Sequence, residues 1–518
     1  MRCFMELTGR DFKPACAMTR LLTALAMSVV TALPAFADTV ADAKRLALEA
    51  VEQNAEQIAT VGDVIFYFAE PGMQEHESAK YLRETLEQIG FEVKPGGAEL
   101  PTNVWATWGS GKPVIAIATE MDALPAGSQT AGSISRKPLV DGAPGHMEGH
   151  NLMAAAAVGA GHAVKKAMQQ FNLPGTILVS IAPAEEQLIS RPFLVRGGYF
   201  KDVDAAIVTH VEDSLSTGYG LGTYALIGAN FTFHGRTAHG GINPWDGKDA
   251  VDAVVLMDIG MDKMREHLRP TYRAHRTITH GGVQPNIIPD MGQIWWFVRD
   301  ATGPWAKENF DKLVDIGNGA ALMTGTTMQM EPFGAAWPLL GNKAVAEAVQ
   351  KNIEAIGMPN WTGEELGFAK ALQKSMGQRE VGLQTQPLPL ASGRQIAASN
   401  DIGDISWVTP TGTINFPSVV PGIRPHHWSA GITPTMSIGH KGAVTGAKVI
   451  AASVLDLLTS QELRDAAREQ FDKDTRESKY FSLLPDGAKP PLDLNREIMD
   501  RFRPAMRQFY LSKKATFD

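Results

Sequence analysis

Two imidazoles and a carboxylate fall within five positions in Gly145-His146-Met147-Glu148-Gly149-His150-Asn151. Histidine nitrogen and carboxylate oxygen are common ligands of divalent metals, so the cluster suits a metal ion. A His-rich surface turn has the same composition, and the segment alone does not choose between them. Adjacent carboxylates stand in Pro183-Ala184-Glu185-Glu186. One of such a pair can bind metal while its neighbour takes a proton from water. A solvated acidic turn is the plainer alternative. His210, the pair His426-His427, and His440 nearby complete the metal-capable set. A lone histidine at a strand end is more often structural than a ligand, so these gain meaning only from their placement.

The surrounding elements supply that placement. Glu185 follows Gly175–Ala182 (GTILVSIA), a continuous apolar run that reads as a buried strand. His210 closes a similar run, Val203–Thr209, and Pro113–Thr119 is a third. Open α/β sheets bind ligands at the carboxyl ends of such strands. An Ala-rich helix is expected over 152–169, directly after the histidine cluster. Helices are also expected over 42–62 and 77–89, the second closed by Gly90, with strands at 91–93 and 103–107. Near residue 223 the pattern changes. A strand (225–233), a helix (248–266), strands at 277–280 and 293–299, a helix (304–324) and a strand (327–332) follow. That order predicts a ferredoxin-like insert. Helices over 344–356 and 442–459 return to the first domain, and 378–400 reads as a loop. The charged, Pro-rich stretch after Phe471 is expected on the surface. The fold class is therefore α/β, a mainly parallel-sheet domain carrying an inserted α+β domain. The expected boundaries are 1–37, 38–222, 223–333, 334–470 and 471–518.

Composition is ordinary for a globular chain of 518 residues, with 44% hydrophobic and 20% charged residues. A net charge of -8 argues against a nucleic-acid partner. Arg20, the apolar run 21–33, and Ala35-Phe36-Ala37 have the order of a cleaved export signal. The run is short for a bilayer span, so no stable membrane span is expected after cleavage. The polar start fits Met18 as the true initiator. Residues 1–37 are thus expected to be a signal peptide, and the protein periplasmic or secreted. Both cysteines, Cys3 and Cys16, precede the cleavage point, so the mature chain carries no thiolate ligand or nucleophile.

Taken in register, several segments resemble the clan MH family of dinuclear-metal aminoacylases and carboxypeptidases, in its amidohydrolase branch. The aminobenzoyl-glutamate hydrolase-like group is the nearest in pattern. The markers are EMDALP (120–125), GHMEGHN (145–151), PAEE (183–186), VDAAIVTH (203–210), FHGRTAHGGINPWDGKDAVDA (233–253), GGVQPNIIPD (281–290), SNDIGDISWVTP (399–410), His426-His427-Trp428 and GHKGA (439–443). The resemblance covers about 42–485. It implies a phosphorylase/hydrolase-like catalytic domain with a lid and dimerisation insert, two divalent ions (Zn or Mn, with Co as a further option) and a homodimer formed through the insert. It implies Glu185 as general base, and Glu148, His150, Glu186, His210 and His426 as metal ligands. His426 is preferred over His427 because the related group reads His-x-Trp here. Asp122 would orient the site, and His239 would reach the active site of a second copy of the chain to stabilise the oxyanion. Asn286 and Arg299 would bind the substrate carboxylate.

Two positions depart from other members. The branch usually has a cysteine ligand where this chain has Glu148. A carboxylate is harder than a thiolate, so metal preference would move toward Mn. Glu120 stands where other branches carry a histidine ligand, and this branch carries an acid. The implied activity is hydrolysis of an amide bond in an N-acyl amino acid or peptide-like small molecule. A dipeptidase or carboxypeptidase of the same family, and a non-catalytic exported binding protein on this fold, are the alternatives.

Overall fold

The computed structural model describes residues 39–518, and the expected signal segment lies outside the described residues. Ten strands build the two main sheets: β1 Glu92–Pro95, β2 Val104–Ser110, β3 Val114–Glu120, β4 Gly175–Ala182, β5 Ala205–Glu212, β6 Ala225–His234, β7 Arg273–His280, β8 Met291–Asp300, β9 Thr327–Ala336 and β10 Thr411–Pro417. The first sheet runs β1-β2-β4-β3-β5-β10. Its strands β4, β3, β5 and β10 are parallel, while β1 and β2 pair antiparallel. The architecture is α/β with a mainly parallel large sheet.

The main helices are α1 Ala55–Phe68, α2 His76–Ile89, α3 His150–Phe171, α4 Ala250–Met264, α5 Gly303–Thr324, α6 Lys343–Ile356 and α7 Ser437–Thr459. Strand β3 shows how the sheet is held. Ile115 and Ile117 point into a cluster with α1, α3 and α7. Ala116 and Ala118 point into a second cluster, which also contains Ile227, Phe231, Trp296 and Phe310. Alternation along a strand buried on both faces produces this division. Helix α7 is long and apolar enough to cross a bilayer by length and composition, but 78% of its most apolar stretch is buried in the protein. The second sheet runs β9-β6-β8-β7, fully antiparallel, with α4 and α5 packed on it.

Four elements differ from the sequence reading. The helix expected over 42–62 is two helices, 39–53 and α1, meeting at Asn54. The Asn54 side chain donates back to the Ala50 carbonyl at 2.9 Å, a local bond that competes with helix continuation. Strand β10 has no counterpart in the sequence reading. Neither has helix Gly363–Ser375, although Thr362 and Glu365 form a full capping box before it. The stretch after Phe471 is more than a surface wrap. Leu483, Leu484, Met499, Met506 and Ala515 are all buried.

Candidate metal and catalytic site

Every parallel strand of the first sheet delivers a polar group at its carboxyl end. β3 ends in Glu120, with Asp122 two residues later. β4 leads into Ala184, whose φ of 52° is left-handed, and then Glu185 and Glu186. A left-handed non-glycine residue is strained by roughly 1–2 kcal/mol, and here it turns both carboxylates over the sheet edge. β5 carries His210, and the loop after β10 carries His426, also left-handed at φ 54°. His150 opens α3 after Gly149, whose φ is 78°. A side chain at 149 would sit 2.7 Å from Val211, so the turn requires glycine.

These residues form two adjoining groups, each with candidate ligand atoms within 4.8 Å of one another. One comprises Glu120, His150 and Glu185; the other Glu148, Glu186 and His426. His426 Nε2 lies 2.5 Å from Glu148 Oε2 and 3.2 Å from Glu186 Oε2. His210 Nε2 is 3.7 Å from Glu148 Oε1. His150 bonds Asp122 through Nδ1 at 3.2 Å, which leaves Nε2 facing Glu185 at 3.8 Å. The other Asp122 oxygen accepts from the Glu186 amide at 3.1 Å. Asp122 therefore orients both a histidine and the acidic turn, as outer groups around metal sites do.

The electrostatics follow from burial and crowding. Burial pushes Asp122 up, but His150 outweighs it and holds the carboxyl below its usual range. Burial pulls His150 down, yet Asp122, Glu186 and Glu120 carry it well above an ordinary imidazole. Burial and the neighbouring Glu120 push Glu185 well up, the direction a general base at neutral pH needs. Glu186 rises through burial, partly offset by His426. Burial raises Glu148, but His426 and His210 bring it below the ordinary value. His426 is pushed up to about 10 by Glu148 and Glu186.

The residues present fit divalent metal. His150 Nε2 and Glu120 Oε1 are buried without a hydrogen-bond partner, both in the first group. Arg191 is buried among Glu120, Asp122, Glu185 and Asp401, so carboxylates outnumber the guanidinium that faces them. Cations complete such a cage, and its imidazole and carboxylate donors suit Zn or Mn.

The other histidines are engaged elsewhere. His146 Nε2 contacts the Ile65 carbonyl at 3.2 Å and its ring stacks on Phe66. His427 bonds Ser429 at 2.7 Å and caps a short 3-10 turn. His440 pairs with Asp63 at 2.7 Å. Of the three candidates in the last segment, His426 is the one brought to Glu148 and Glu186. His239 and Asn286 are exposed on the second sheet's loops, joined by a Gly240 amide to Asn286 carbonyl bond of 2.9 Å. His239 Nδ1 accepts from the Gly241 and Ile242 amides, and its partners within this chain are local. Arg299 on β8 donates to Ser399 Oγ at 3.1 Å, and its buried Nε has no partner. A cleft of about 450 Å³ opens beside Glu148 and His210, walled by Met147, Val211, Val420, Ile423 and Pro425.

Sequence reasoning does not find Arg191 and Asp401. Arg191 donates to Glu120 at 2.6 Å and to Asp401 at 3.0 Å, with all three fully buried. Asp401 lies in one of the motifs quoted above, but nothing in the sequence pairs it with Arg191.

The sequence profile of peptidase family M20/M25/M40 matches residues 116–473. One p-aminobenzoyl-glutamate hydrolase polypeptide of Escherichia coli is 32% identical, over 85% of this chain and 97% of that protein. A mouse Xaa-Arg dipeptidase is 25% identical, over 85% of this chain and 94% of its own length. The crystal structure of an aminobenzoyl-glutamate utilization protein from Klebsiella pneumoniae superposes with a TM-score of 0.56 at 16% identity, over 79% of this chain and 97% of that one. With nearly seven-tenths of its length under the profile and its carboxylates and histidines gathered at the sheet edge, the chain belongs to peptidase family M20/M25/M40 and is a metal-dependent amide hydrolase.

Proposed function

We propose that the protein cleaves the amide bond of an N-acyl amino acid or peptide-like substrate of the aminobenzoyl-glutamate kind, with Glu185 as general base. The observation that carries this is Glu185 itself: buried, raised in pKa, 3.8 Å from the free nitrogen of His150, and beside the second candidate ligand group. Divalent ions held by Glu148, His150, Glu186, His210 and His426 would polarise the scissile carbonyl and acidify water. Asp122 fixes the His150 tautomer by accepting from Nδ1 and fixes the acidic turn by accepting from the Glu186 amide. Glu185 takes the proton of the attacking water and hands it to the leaving nitrogen. The unpartnered Arg299 Nε suits a substrate carboxylate, because a guanidinium fork matches it. Asn286 would assist there. The apolar cleft beside Glu148 suits an aryl or alkyl acyl group.

Zn or Mn is the expected metal. The protein would be exported and homodimeric, with His239 of one chain completing the oxyanion site of the other. Relatedness to a dipeptidase favours a second reading, a dipeptidase of the same site chemistry. A panel of acyl-glutamates against dipeptides decides between the two. Glu185→Gln tests the mechanism: it should keep its metal and lose about 10²–10⁴-fold in turnover. A variant with near-wild-type rate would overturn the assignment.

A further inference from the structure

The segment Glu70–Glu75 lies between the catalytic turns and the last helix of the chain. On its inner side it meets both turns. The Ala123 amide, next to Asp122, donates to the Glu70 carbonyl at 2.8 Å, and Pro71 bridges Ala123. The Ala184 amide, next to Glu185, donates to Glu75 Oε1 at 2.8 Å. Gly72 packs so closely on Ala184 that a methyl there would collide with it and with the Gln187 carboxamide. Glu75 is fully buried, and its other oxygen accepts from Thr102 at 3.1 Å.

On its outer side the same segment is held by residues 492–503, which lie beyond the family profile's end at 473. Arg503 reaches Glu70 Oε1 at 2.5 Å and the Gln74 carbonyl at 3.1 Å. Gln74 donates to the Leu492 and Leu494 carbonyls, and Asn495 donates to the Gly72 carbonyl at 3.0 Å. Glu70 is fully buried, and the Ser78 amide and hydroxyl complete its partners.

We propose that the C-terminal segment is a brace for the reaction, with Arg503 and Glu75 as positioning residues that hold the turns carrying Asp122 and Glu185. The left-handed backbone at Ala184 does not hold itself, and Glu75 is the side chain that bonds its amide. The inference rests on Glu185 and Asp122 acting as proposed above. Its geometric part, that the tail fixes these two turns, can be measured without turnover.

The experiment compares full-length, metal-loaded wild type with Arg503→Gln, Glu75→Ala, Glu75→Gln and the control Leu458→Ala. Leu458 is a core residue beside Gly175, at the opposite end of β4 from the site. Hydrogen exchange is read over peptides covering 121–125 and 183–188, together with kcat and KM. The brace predicts faster exchange in those two peptides for Arg503→Gln and Glu75→Ala but not for Leu458→Ala. It predicts kcat about 10-fold lower or more with KM little changed, since small misplacements of a catalytic group are costly. Glu75→Gln, which can still accept from Ala184, should recover most of what Glu75→Ala loses. Exchange that is unchanged, or raised equally across the protein and in Leu458→Ala, would overturn the brace even if Glu185→Gln is inactive. Local exchange changes in a protein whose Glu185→Gln variant stays active would leave the brace standing and remove the base assignment alone.

Discussion

Glu148 is the residue at which this site departs from its branch. A cysteine is usual there, and a thiolate is softer than a carboxylate. The structure sets Glu148 between His426 and His210, so the substituted side chain still faces the ligand set. Glu148→Ala should lower bound metal, read by elemental analysis of protein equilibrated with excess Mn or Zn. Glu148→Cys should keep its metal but shift preference from Mn toward Zn when the two ions compete at equal concentration. An unchanged preference would mean that residue 148 is not a ligand. The sequence displays these donors because each is a rare residue type at a motif position. Arg191 is invisible there for the opposite reason. Its role depends on Asp401, which lies 210 positions away and becomes its neighbour only in the fold. Replacing Arg191 by Met would leave Glu120 and Asp401 buried without their cation. Breaking a buried pair in this way costs about 3–5 kcal/mol, measurable by urea unfolding of the chelated protein.

Elements are legible where burial makes them uniform. Strand β4 is a continuous apolar run, and its bounds match the sequence reading. Strand β10 (TGTINFP) is hidden, because glycine, asparagine and proline weaken its strand signal although most of it is buried. It pairs with β5 alone at the sheet edge, so tertiary context rather than propensity makes it a strand. The tail reads as a surface wrap because its buried residues are spaced too widely for a periodic stripe. Tyr480 in that tail donates to Asp404 at 2.7 Å, and the Trp337 amide donates to the same carboxyl at 2.9 Å. Burial pushes Asp404 up to about 7 against these bonds. Its folded value exceeds the unfolded one, so its favourable contribution is full below about pH 4 and is lost as pH rises through 7. Asp404→Asn keeps an acceptor and cannot ionise. Its stability relative to wild type should therefore climb between pH 4 and 7, at about 1.4 kcal/mol per pH unit across the window. Parallel pH curves for the two proteins in urea would refute this.

At the scale of the whole molecule, the question is whether one chain holds a complete site. Within this chain the His239 ring bonds only its own loop, while Ile242, Trp245 and Val283 around it are exposed apolar side chains. Exposed apolar groups gathered near an edge strand favour association, and a symmetric dimer lets each chain lend a residue to the other. If His239 acts in the partner's site, two inactive proteins can complement. His239→Ala supplies an intact Glu185, and Glu185→Gln supplies an intact His239. A mixed dimer then contains one complete site and one doubly defective site. Random exchange makes half of the dimers mixed, so activity should return to about a quarter of wild type. If His239 serves its own chain, both sites of a mixed dimer are defective, and mixing restores nothing. Exchange itself is verified by native mass spectrometry with one variant isotopically labelled, so failure to recover activity in a mixture shown to contain mixed dimers would exclude action across the interface.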